Sequence, residues 1–197
     1  MMCADFLRLG EEVDELAGAG CDGFHLDVMD GHFVPNLGLG IGDVEAICHR
    51  SPVPCDVHLM ATHEPTTIDL LVKAGVKIVY VHQEAEPTIN STLLQIERLG
   101  AHPGLVVDPG VNFETVETSL PVVDYVLVMT VNPGFSGQKY LDYVDEKIER
   151  FVAAKDKYGY KVIIDGACSP QVIAKADKMG VDGAVLGTSA VFGKGRP

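Results

Sequence analysis

The sequence predicts an α/β fold of the TIM (β/α)8 barrel type. Two observations favour it: strand and helix patterns alternate along the whole chain, and polar residues follow most of the strands. Parallel strands need long crossover connections, usually helical, which produce this alternation. In a barrel the carboxyl ends of all strands meet at one mouth, whereas an open doubly wound sheet uses only those beside its switch point. The polar strand ends therefore favour the barrel over the open sheet.

Seven strands and seven helices can be followed in order. The strands are expected at 24–28, 55–59, 77–81, 102–107, 124–130, 161–164 and 183–186. The helices are expected at 6–19, 43–49, 64–74, 89–99, 113–118, 140–158 and, after a Ser169 cap, 170–179. Several end at a glycine before the next strand, as at Gly20, Gly75 and Gly180.

The two ends of the sequence lack parts that a whole barrel needs. The residues before Ala4 resemble the tail of a first strand, and the last residues form a loop with no closing helix. We therefore expect residues 1–197 to be a single (β/α)8 domain without the start of strand 1 and without the final helix.

Composition excludes several classes of function. The net charge of −13 argues against a nucleic-acid partner, because phosphate backbones need a basic surface. An anionic substrate would have to be held locally, by backbone N–H groups or a metal. Five cysteines without CxxC spacing, and no secretory leader or apolar membrane-spanning run, predict a reduced cytoplasmic protein with no membrane partner.

Four polar side chains at strand ends suggest a metal site. His25 and Asp27 share one face of the first visible strand, His58 lies on the next, and Asp165 ends the strand at 161–164. In a barrel these two imidazoles and two carboxylates would converge, and such a set suits Zn²⁺, Fe²⁺, Mn²⁺ or Co²⁺. The alternative is that they are ordinary solvated or hydrogen-bonded strand-end residues.

Three glycine-containing segments are candidate phosphate cradles. Glycines allow the backbone to approach closely, so that several N–H groups can point at one phosphate. Barrels often hold a phosphate after their seventh and eighth strands. The alternative is turn glycines without a ligand, since the chain has 21 glycines. The predicted contacts are Gly134, Phe135, Ser136, Gly137, Gly166, Ala167, Gly187 and Thr188.

Three methionines, Met29, Met60 and Met129, lie at or beside strand ends. They are either core filler or a flexible apolar lining that keeps water from a reactive carbanion. Three further histidines have no such grouping, and we interpret His32, His63 and His82 as surface residues or as neighbours of the ligands.

Four sequence motifs carry a specific resemblance to a known family. They are HLDVMDGHFVPN at 25–36, DVHLM at 56–60, VMTVNPGFSGQ at 128–138 and Asp-Gly at 165–166. They closely resemble the motifs of the ribulose-phosphate 3-epimerase family. They occur in the same order and at suitable spacing, and they cover essentially the whole chain. The resemblance implies a TIM barrel that interconverts ketose phosphates epimeric at C3, the reaction of D-ribulose 5-phosphate and D-xylulose 5-phosphate in the pentose phosphate pathway.

The resemblance also assigns roles to residues. It implies one divalent metal held by His25, Asp27, His58 and Asp165, with Asp27 and Asp165 as the catalytic acid/base pair. It places the sugar phosphate against His58 and the phosphate group on 134–137, 166–167 and 187–188, and it implies a homo-oligomer.

Elementary chemistry agrees with this assignment. The C3 proton beside the C2 carbonyl is too weakly acidic to leave unaided, so a metal on O2 and O3 would stabilise the enediolate. Inversion needs one carboxylate on each face of that intermediate. The strand-end motifs contain no lysine, which argues against a Schiff-base aldolase and against the related Asp-x-Lys-x-x-Asp decarboxylase pattern.

Three segments depart from the common family pattern. Asp-Gly-Gly is replaced by the sequence from Asp165 to Cys168, Leu-Ser-Ala-Asp by 2–5, and the final Gly-Ser by Gly187-Thr188. These changes look more like the allulose-6-phosphate 3-epimerase branch, so that substrate, epimerised to fructose 6-phosphate, stays open. Two further alternatives are a non-catalytic sugar-phosphate-binding barrel and a metal hydrolase with the same ligands.

Overall fold

A curled parallel sheet forms the centre of the molecule. The structure is a computed structural model that describes residues 1–62 and 65–192. Each strand pairs in parallel with the next one along the chain, so that sheet order equals chain order. The strands are β1 Phe24–Met29, β2 Cys55–Met60, β3 Ile78–His82, β4 His102–Val107, β5 Tyr125–Met129, β6 Lys161–Asp165 and β7 Gly183–Val185.

Helices occupy the connections between these strands. They are α1 Leu9–Gly18, α2 Ile41–Arg50, α3 Pro65–Lys73, α4 Ile89–Arg98, α5 Phe113–Val116, α6 Asp145–Tyr158 and α7 Pro170–Met179. Ser169 caps α7 as predicted, since its side chain accepts a hydrogen bond from the backbone N–H of Val172. Among the described helices, none is both long enough and apolar enough to cross a bilayer.

Several predicted helices have different bounds in the structure, and three of them include a 3-10 segment. The first is the helix expected at 6–19, which begins with the 3-10 segment Phe6–Arg8. The helix expected from residue 140 begins instead with a 3-10 turn, Asp142–Val144, because the backbone N–H of Leu141 is still hydrogen-bonded to Thr130. The helix expected at 113–118 is one turn, α5, followed by a 3-10 segment, Glu117–Val122, that accommodates Pro121.

The segment before Ala4 does not form the expected strand in the part of the chain that the structure describes. Residues 2–4 form a turn, in which the N–H of Ala4 donates to the carbonyl of Met1. Met1 nevertheless lies against β1: its amino group donates to the carbonyl of His25 at 2.6 Å, and its side chain is buried. This edge of β1 is therefore bonded by Met1 and by the loop after β1, in which Leu39 and Gly38 donate to the carbonyls of Asp27 and Met29, rather than by a strand ladder. His63 and the first residue of the helix expected at 64–74 lie outside the described residues.

The distance between two aspartates on different strands shows how strongly the sheet curls. Asp27 on β1 and Asp165 on β6 are separated by five strand spacings, which is about 24 Å in a flat sheet. Their carboxylate groups nevertheless offer oxygen atoms within 4.8 Å of each other. A sheet must curl almost fully round to bring these atoms together, so the prediction of a partial (β/α)8 barrel is confirmed.

The two faces of the sheet pack in different ways. Outward side chains such as Leu26, Val57 and Val126 join the helices in one large apolar core. Inward side chains fill the barrel itself in a second cluster built from Tyr80, Val106, Leu127, Met129 and Val131. This filled interior supports the polar residues at the carboxyl ends of the strands from below.

Candidate metal centre and active site

Neighbouring strands bring the four predicted metal ligands together. In the parallel ladder of β1 and β2, Asp27 is paired with His58. Asp165 reaches the same place from the end of β6. One ligand atom from each of His25, Asp27, His58 and Asp165 lies within 4.8 Å of all the others. The structure therefore brings these four side chains together, and metal binding by them stays a prediction.

Two nitrogen atoms in this group have no hydrogen-bond partner. They are Nε2 of His25 and Nδ1 of His58, and both are buried. Nε2 of His25 lies 3.6 Å from Oδ1 of Asp27 and 3.7 Å from Oδ2 of Asp165. Nδ1 of His58 lies 3.5 Å from the same two oxygens. Buried polar atoms are almost always satisfied, so two such nitrogens facing two carboxylates fit a divalent cation between them.

The opposite nitrogen of each imidazole is held by a further side chain. Nδ1 of His25 lies 2.5 Å from Oδ1 of Asp56, and Nε2 of His58 lies 2.7 Å from Nε2 of His82. Such outer contacts fix ring orientation and tautomer in metal sites. Sequence reasoning gave Asp56 no role, although aligning β1 with β2 pairs it directly with His25.

Electrostatics within the cluster favour its charged forms. Burial alone would lower the pKa of His25, but the carboxylates of Asp56, Asp27 and Asp165 raise it to about 9. Burial likewise opposes ionisation of Asp27, yet the nearby imidazoles of His58 and His25 lower its pKa to about 2. Without a metal, the protein therefore places a proton where the cation would bind.

His82 is not a surface residue. It is fully buried, its ring lies 4.6 Å from that of Phe33 between centroids, and its Nδ1 is 3.2 Å from Oδ1 of Asp108. Burial lowers its pKa, against the opposing effect of Asp108. Of the two interpretations of His82, the structure supports a neighbour of the ligands. His32 is exposed, and His63 lies outside the described residues.

The loop after β1 is organised by one carboxylate. Asp30 accepts hydrogen bonds from the backbone N–H groups of His32 and Phe33 and from both the N–H and hydroxyl of Thr62. These bonds outweigh the effect of burial and hold the pKa of Asp30 well below its usual range. Asp30 thus ties the loop after β1 to the end of β2.

The same loop is fastened to the glycine-rich loop after β5. The Asn36 amide donates to the carbonyl of Gly134 at 2.7 Å. On the far side, Gln138 donates to the carbonyls of Asn132 and Phe135. The glycine-rich loop is therefore hydrogen-bonded both to the loop after β1 and across its own ends.

All three methionines are buried and line the cleft at the barrel mouth. Met29 and Met60 are paired in the ladder of β1 and β2 and share an apolar cluster with Val34. Met129 belongs instead to the barrel interior. Both predicted roles, core residue and cleft lining, therefore describe these side chains.

The three predicted phosphate segments border one cleft. Its empty volume is about 710 Å³, including the open mouth. The lining includes Asp27, His58 and Asp165 from the metal centre, whereas His25 lies beneath them. It also includes every predicted substrate contact: Gly134, Phe135, Ser136, Gly137, Gly166, Ala167, Gly187 and Thr188.

Backbone conformation at the segment after β6 is unusual. Gly166 has a φ of +119°, and a Cβ there would come within 2.5 Å of a Val131 methyl carbon and 2.9 Å of the Val131 backbone nitrogen. Only glycine fits this position without displacement. The next residue, Ala167, has a φ of +49° and is the one non-glycine residue with positive φ in the described chain.

Comparison with known proteins places the chain in a family. The sequence model of the ribulose-phosphate 3 epimerase family matches residues 1–192. The chain belongs to this family. The family comprises carbohydrate epimerases, and the protein is therefore an isomerase by membership.

Individual relatives agree over nearly the whole chain. A chloroplastic ribulose-5-phosphate-3-epimerase of Arabidopsis thaliana is 40% identical over 197 residues, which cover 98% of this chain and 70% of the relative. The ribulose-phosphate 3-epimerase of Bacillus subtilis is 38% identical over 197 residues, covering 98% of this chain and 90% of the relative.

Solved structures with low identity support the fold alone. A mutant tryptophan synthase alpha-subunit from Pyrococcus furiosus superimposes with a TM-score of 0.67 at 11% identity, covering 93% of this chain and 82% of that one. An HpcH/HpaI aldolase from Desulfitobacterium hafniense gives 0.66 at 15% identity, covering 89% and 80%.

Proposed function

We propose that this epimerase-family member is a metal-dependent 3-epimerase that interconverts D-ribulose 5-phosphate and D-xylulose 5-phosphate. The observation that supports this most is the pair of buried, unpartnered nitrogens on His25 and His58. They face the carboxylates of Asp27 and Asp165 beside a cleft rimmed by glycine-rich loops. The names of the relatives supply the substrate class.

The four side chains fit one divalent ion: Zn²⁺, Fe²⁺, Mn²⁺ or Co²⁺. His25 would offer Nε2, His58 would offer Nδ1, and Asp27 and Asp165 would each offer a carboxylate oxygen. When bound, the ion supplies Lewis-acid stabilisation of the negative charge that develops on the substrate oxygens. Asp56 and His82 orient the two imidazoles from behind.

We assign the proton transfers to the two aspartates. Asp27 comes from β1 and Asp165 from β6, and we place the planar enediolate between their carboxylates. One aspartate removes the C3 proton from its side, and the other delivers a proton to the opposite side. The second group must begin protonated, and the pair exchanges roles in the reverse direction.

The rest of the cleft binds and protects the substrate. With a net charge of −13, the protein needs a local site for a phosphate dianion. We place that site at the backbone of 134–137, 166–167 and 187–188, where the glycines permit close approach. Met29, Met60 and Met129 would exclude water from the enediolate.

A second substrate is favoured by residues that line the same cleft. Cys3, Ala167, Cys168 and Thr188 are among the departures from the common pattern, and all four border the cleft. They support D-allulose 6-phosphate, epimerised to fructose 6-phosphate, as the alternative. The chemistry is the same for a sugar one carbon longer.

A two-substrate assay tests the proposal. Purified protein, depleted of metal and reloaded with Mn²⁺, Co²⁺, Fe²⁺ or Zn²⁺, is given each ketose phosphate, and both C3 epimerisation and free phosphate are measured. We expect metal-dependent epimerisation, faster with ribulose 5-phosphate, and no phosphate release. Faster turnover of allulose 6-phosphate would establish the alternative substrate. Phosphate release would indicate a hydrolase, and binding without C3 exchange would indicate a non-catalytic barrel.

We further propose that residues 1–197 act as one (β/α)8 domain in a cytoplasmic homo-oligomer. The continuous apolar core from α1 to α7 supports a single domain. Light scattering of the purified protein measures the oligomeric state, and one cooperative unfolding transition is expected for one domain.

A further inference from the structure

One hydrogen bond joins the imidazole rings of two buried histidines. Nε2 of His58 and Nε2 of His82 are 2.7 Å apart, both rings are fully buried, and they are stacked with centroids 4.9 Å apart. Two neutral imidazole nitrogens can be this close only if one donates a proton and the other accepts it. The direction of this bond decides which nitrogen of His58 is free for a metal.

The cluster around the two rings selects one direction. If His58 carries its hydrogen on Nε2, then its Nδ1 is a lone pair that faces Asp27 and Asp165. If His82 were the donor, a neutral His58 would carry its hydrogen on Nδ1, where the cation belongs. Only the first arrangement leaves a metal ligand on His58.

Asp108 favours the same arrangement from the other end. Its Oδ1 is 3.2 Å from Nδ1 of His82, although the two are not aligned as a full hydrogen bond. A carboxylate oxygen accepts and does not donate, so the His82 hydrogen is favoured on Nδ1 and its Nε2 is left as an acceptor. Lys147 fixes this end by donating to the carbonyls of Asp108 and Pro109, both at 2.7 Å.

We propose that His82, biased by Asp108, is a positioning residue that holds His58 in the tautomer whose Nδ1 is free to bind the metal. His82 is not among the residues that line the substrate cleft, whereas His58 is. The proposal rests on the proposed function, since it concerns the same metal centre. It predicts that metal affinity, rather than the chemical step, depends on His82.

Two substitutions at His82 separate positioning from packing. His82→Leu removes the acceptor and leaves the His58 N–H buried and unpaired. His82→Gln retains an amide oxygen that can accept that hydrogen. We expect Leu to weaken the binding of Mn²⁺ or Zn²⁺ by about 10- to 100-fold, and Gln to restore most of the loss.

A second histidine-aspartate pair supplies the matched control. His102 at the start of β4 contacts Asp124 at 2.6 Å, but it is exposed and lies at the opposite end of the barrel. His102→Gln should leave metal affinity unchanged. Asp108→Asn should weaken it less than His82→Leu does, because the His82 acceptor remains in place.

The readouts are chosen to be independent of turnover. Competition with a chelator gives the affinity, the d–d spectrum of the Co²⁺ form gives the ligand set, and thermal unfolding of the metal-free variants shows whether they fold. In activity titrations, kcat at saturating metal should be nearly preserved in His82→Leu, while the metal concentration required rises. A histidine ¹⁵N spectrum of the Zn²⁺ form should show His58 protonated at Nε2.

Specific results would overturn the proposal. One is a folded His82→Leu variant with wild-type metal affinity, and another is a His58 protonated at Nδ1. A third is a stoichiometry of two ions per chain, with the second held by His82, Glu84 and Asp108, which could also form a ligand set. A wild-type protein that binds metal but does not epimerise would contradict the proposed function and leave this inference standing.

Discussion

Nδ1 of His25 lies 2.5 Å from Oδ1 of Asp56, and this contact directs Nε2 of the same ring toward the carboxylates of Asp27 and Asp165. The two candidate metal-binding imidazoles are therefore held by different partners, His25 by a carboxylate and His58 by a second imidazole. The parallel register of β1 and β2 creates the first of these pairs.

Replacing Asp56 tests that contact. In Asp56→Ala we expect metal affinity to fall by about 10- to 100-fold, because the imidazole loses its orientation and basicity. In the metal-free variant the pKa of His25 should also fall below the value of about 9, since Asp56 contributes the largest raising effect. Chelator competition and NMR titration measure the two changes. Asp124→Ala, which removes the exposed partner of His102, is the control, and equal affinities in the two variants would contradict the assignment.

The raised pKa of His25 predicts how the stability of the metal-free protein depends on pH. The folded value of about 9 exceeds the ordinary 6.5, so the native state holds a proton more tightly than the unfolded chain. The resulting stability is fully present below pH 6.5 and is lost as the pH rises through 9. The loss is on the order of 3 kcal/mol.

Urea unfolding from pH 6.5 to 9 measures this loss. Metal-free wild-type protein should lose stability across the range, whereas His25→Gln should lose less because the titrating group is gone. The metal-loaded protein should also lose less, since a bound cation requires the neutral imidazole. A metal-free stability that is flat or rises with pH, equally in both proteins, would contradict the prediction.

The conformation of Ala167 predicts a stabilising substitution. Its φ of +49° costs about 1–2 kcal/mol for an L-residue, whereas glycine adopts it freely. The added freedom of glycine in the unfolded chain offsets about 0.5–1 kcal/mol of that gain. We therefore expect Ala167→Gly to stabilise the fold by up to about 1 kcal/mol.

A second substitution is the control. Ala153→Gly, at an exposed position of α6, should destabilise the fold by about 1 kcal/mol. Denaturant unfolding measures the free energy of unfolding of both variants. Equal destabilisation would show that the backbone of Ala167 is not strained.

The neighbouring glycine predicts the opposite effect. Gly166→Ala forces a Cβ against the Val131 side chain and backbone at a φ of +119°. We expect a loss of at least about 2 kcal/mol in stability and a displaced Asp165, with weaker metal binding. Gly187→Ala provides the comparison, because no atom lies within 4 Å of a Cβ there and φ is not positive. Similar losses of stability in the two variants would contradict the close packing at Gly166.

Much of the fold and the ligand set could be predicted from sequence because local patterns determine them. Alternation in β1 puts His25 and Asp27 on one face, and a barrel brings parallel strand ends together. Asp56 was assigned no role, and His82 was interpreted only as a surface residue or a neighbour of the ligands, because each acts through a cross-strand contact. A single strand pattern does not show which side chain in the next strand faces it.

The loop after β1 illustrates the same limit. Asp30, Thr62 and Asn36 look like turn residues in the sequence, and their partners are 32 and 98 residues away along the chain. The Asp30–Thr62 contact depends on the pairing of β1 with β2, and the Asn36–Gly134 contact depends on the curling of the sheet. The tail of a first strand expected before Ala4 was wrong for the described residues, because the carbonyls of Asp27 and Met29 on that edge of β1 already accept from Leu39 and Gly38.

The most direct test of the central claim uses deuterium oxide and two variants, each saturated with metal. Wild-type protein should epimerise the ketose phosphate with one solvent deuterium incorporated at C3, followed by NMR. Asp165→Asn and Asp27→Asn should each lose epimerisation by about 10²- to 10⁴-fold. Each should still exchange the C3 hydrogen of one epimer, and the two variants should exchange different epimers. Near-normal epimerisation in either variant, with metal bound, would contradict the assignment of Asp27 and Asp165 as the two opposed bases.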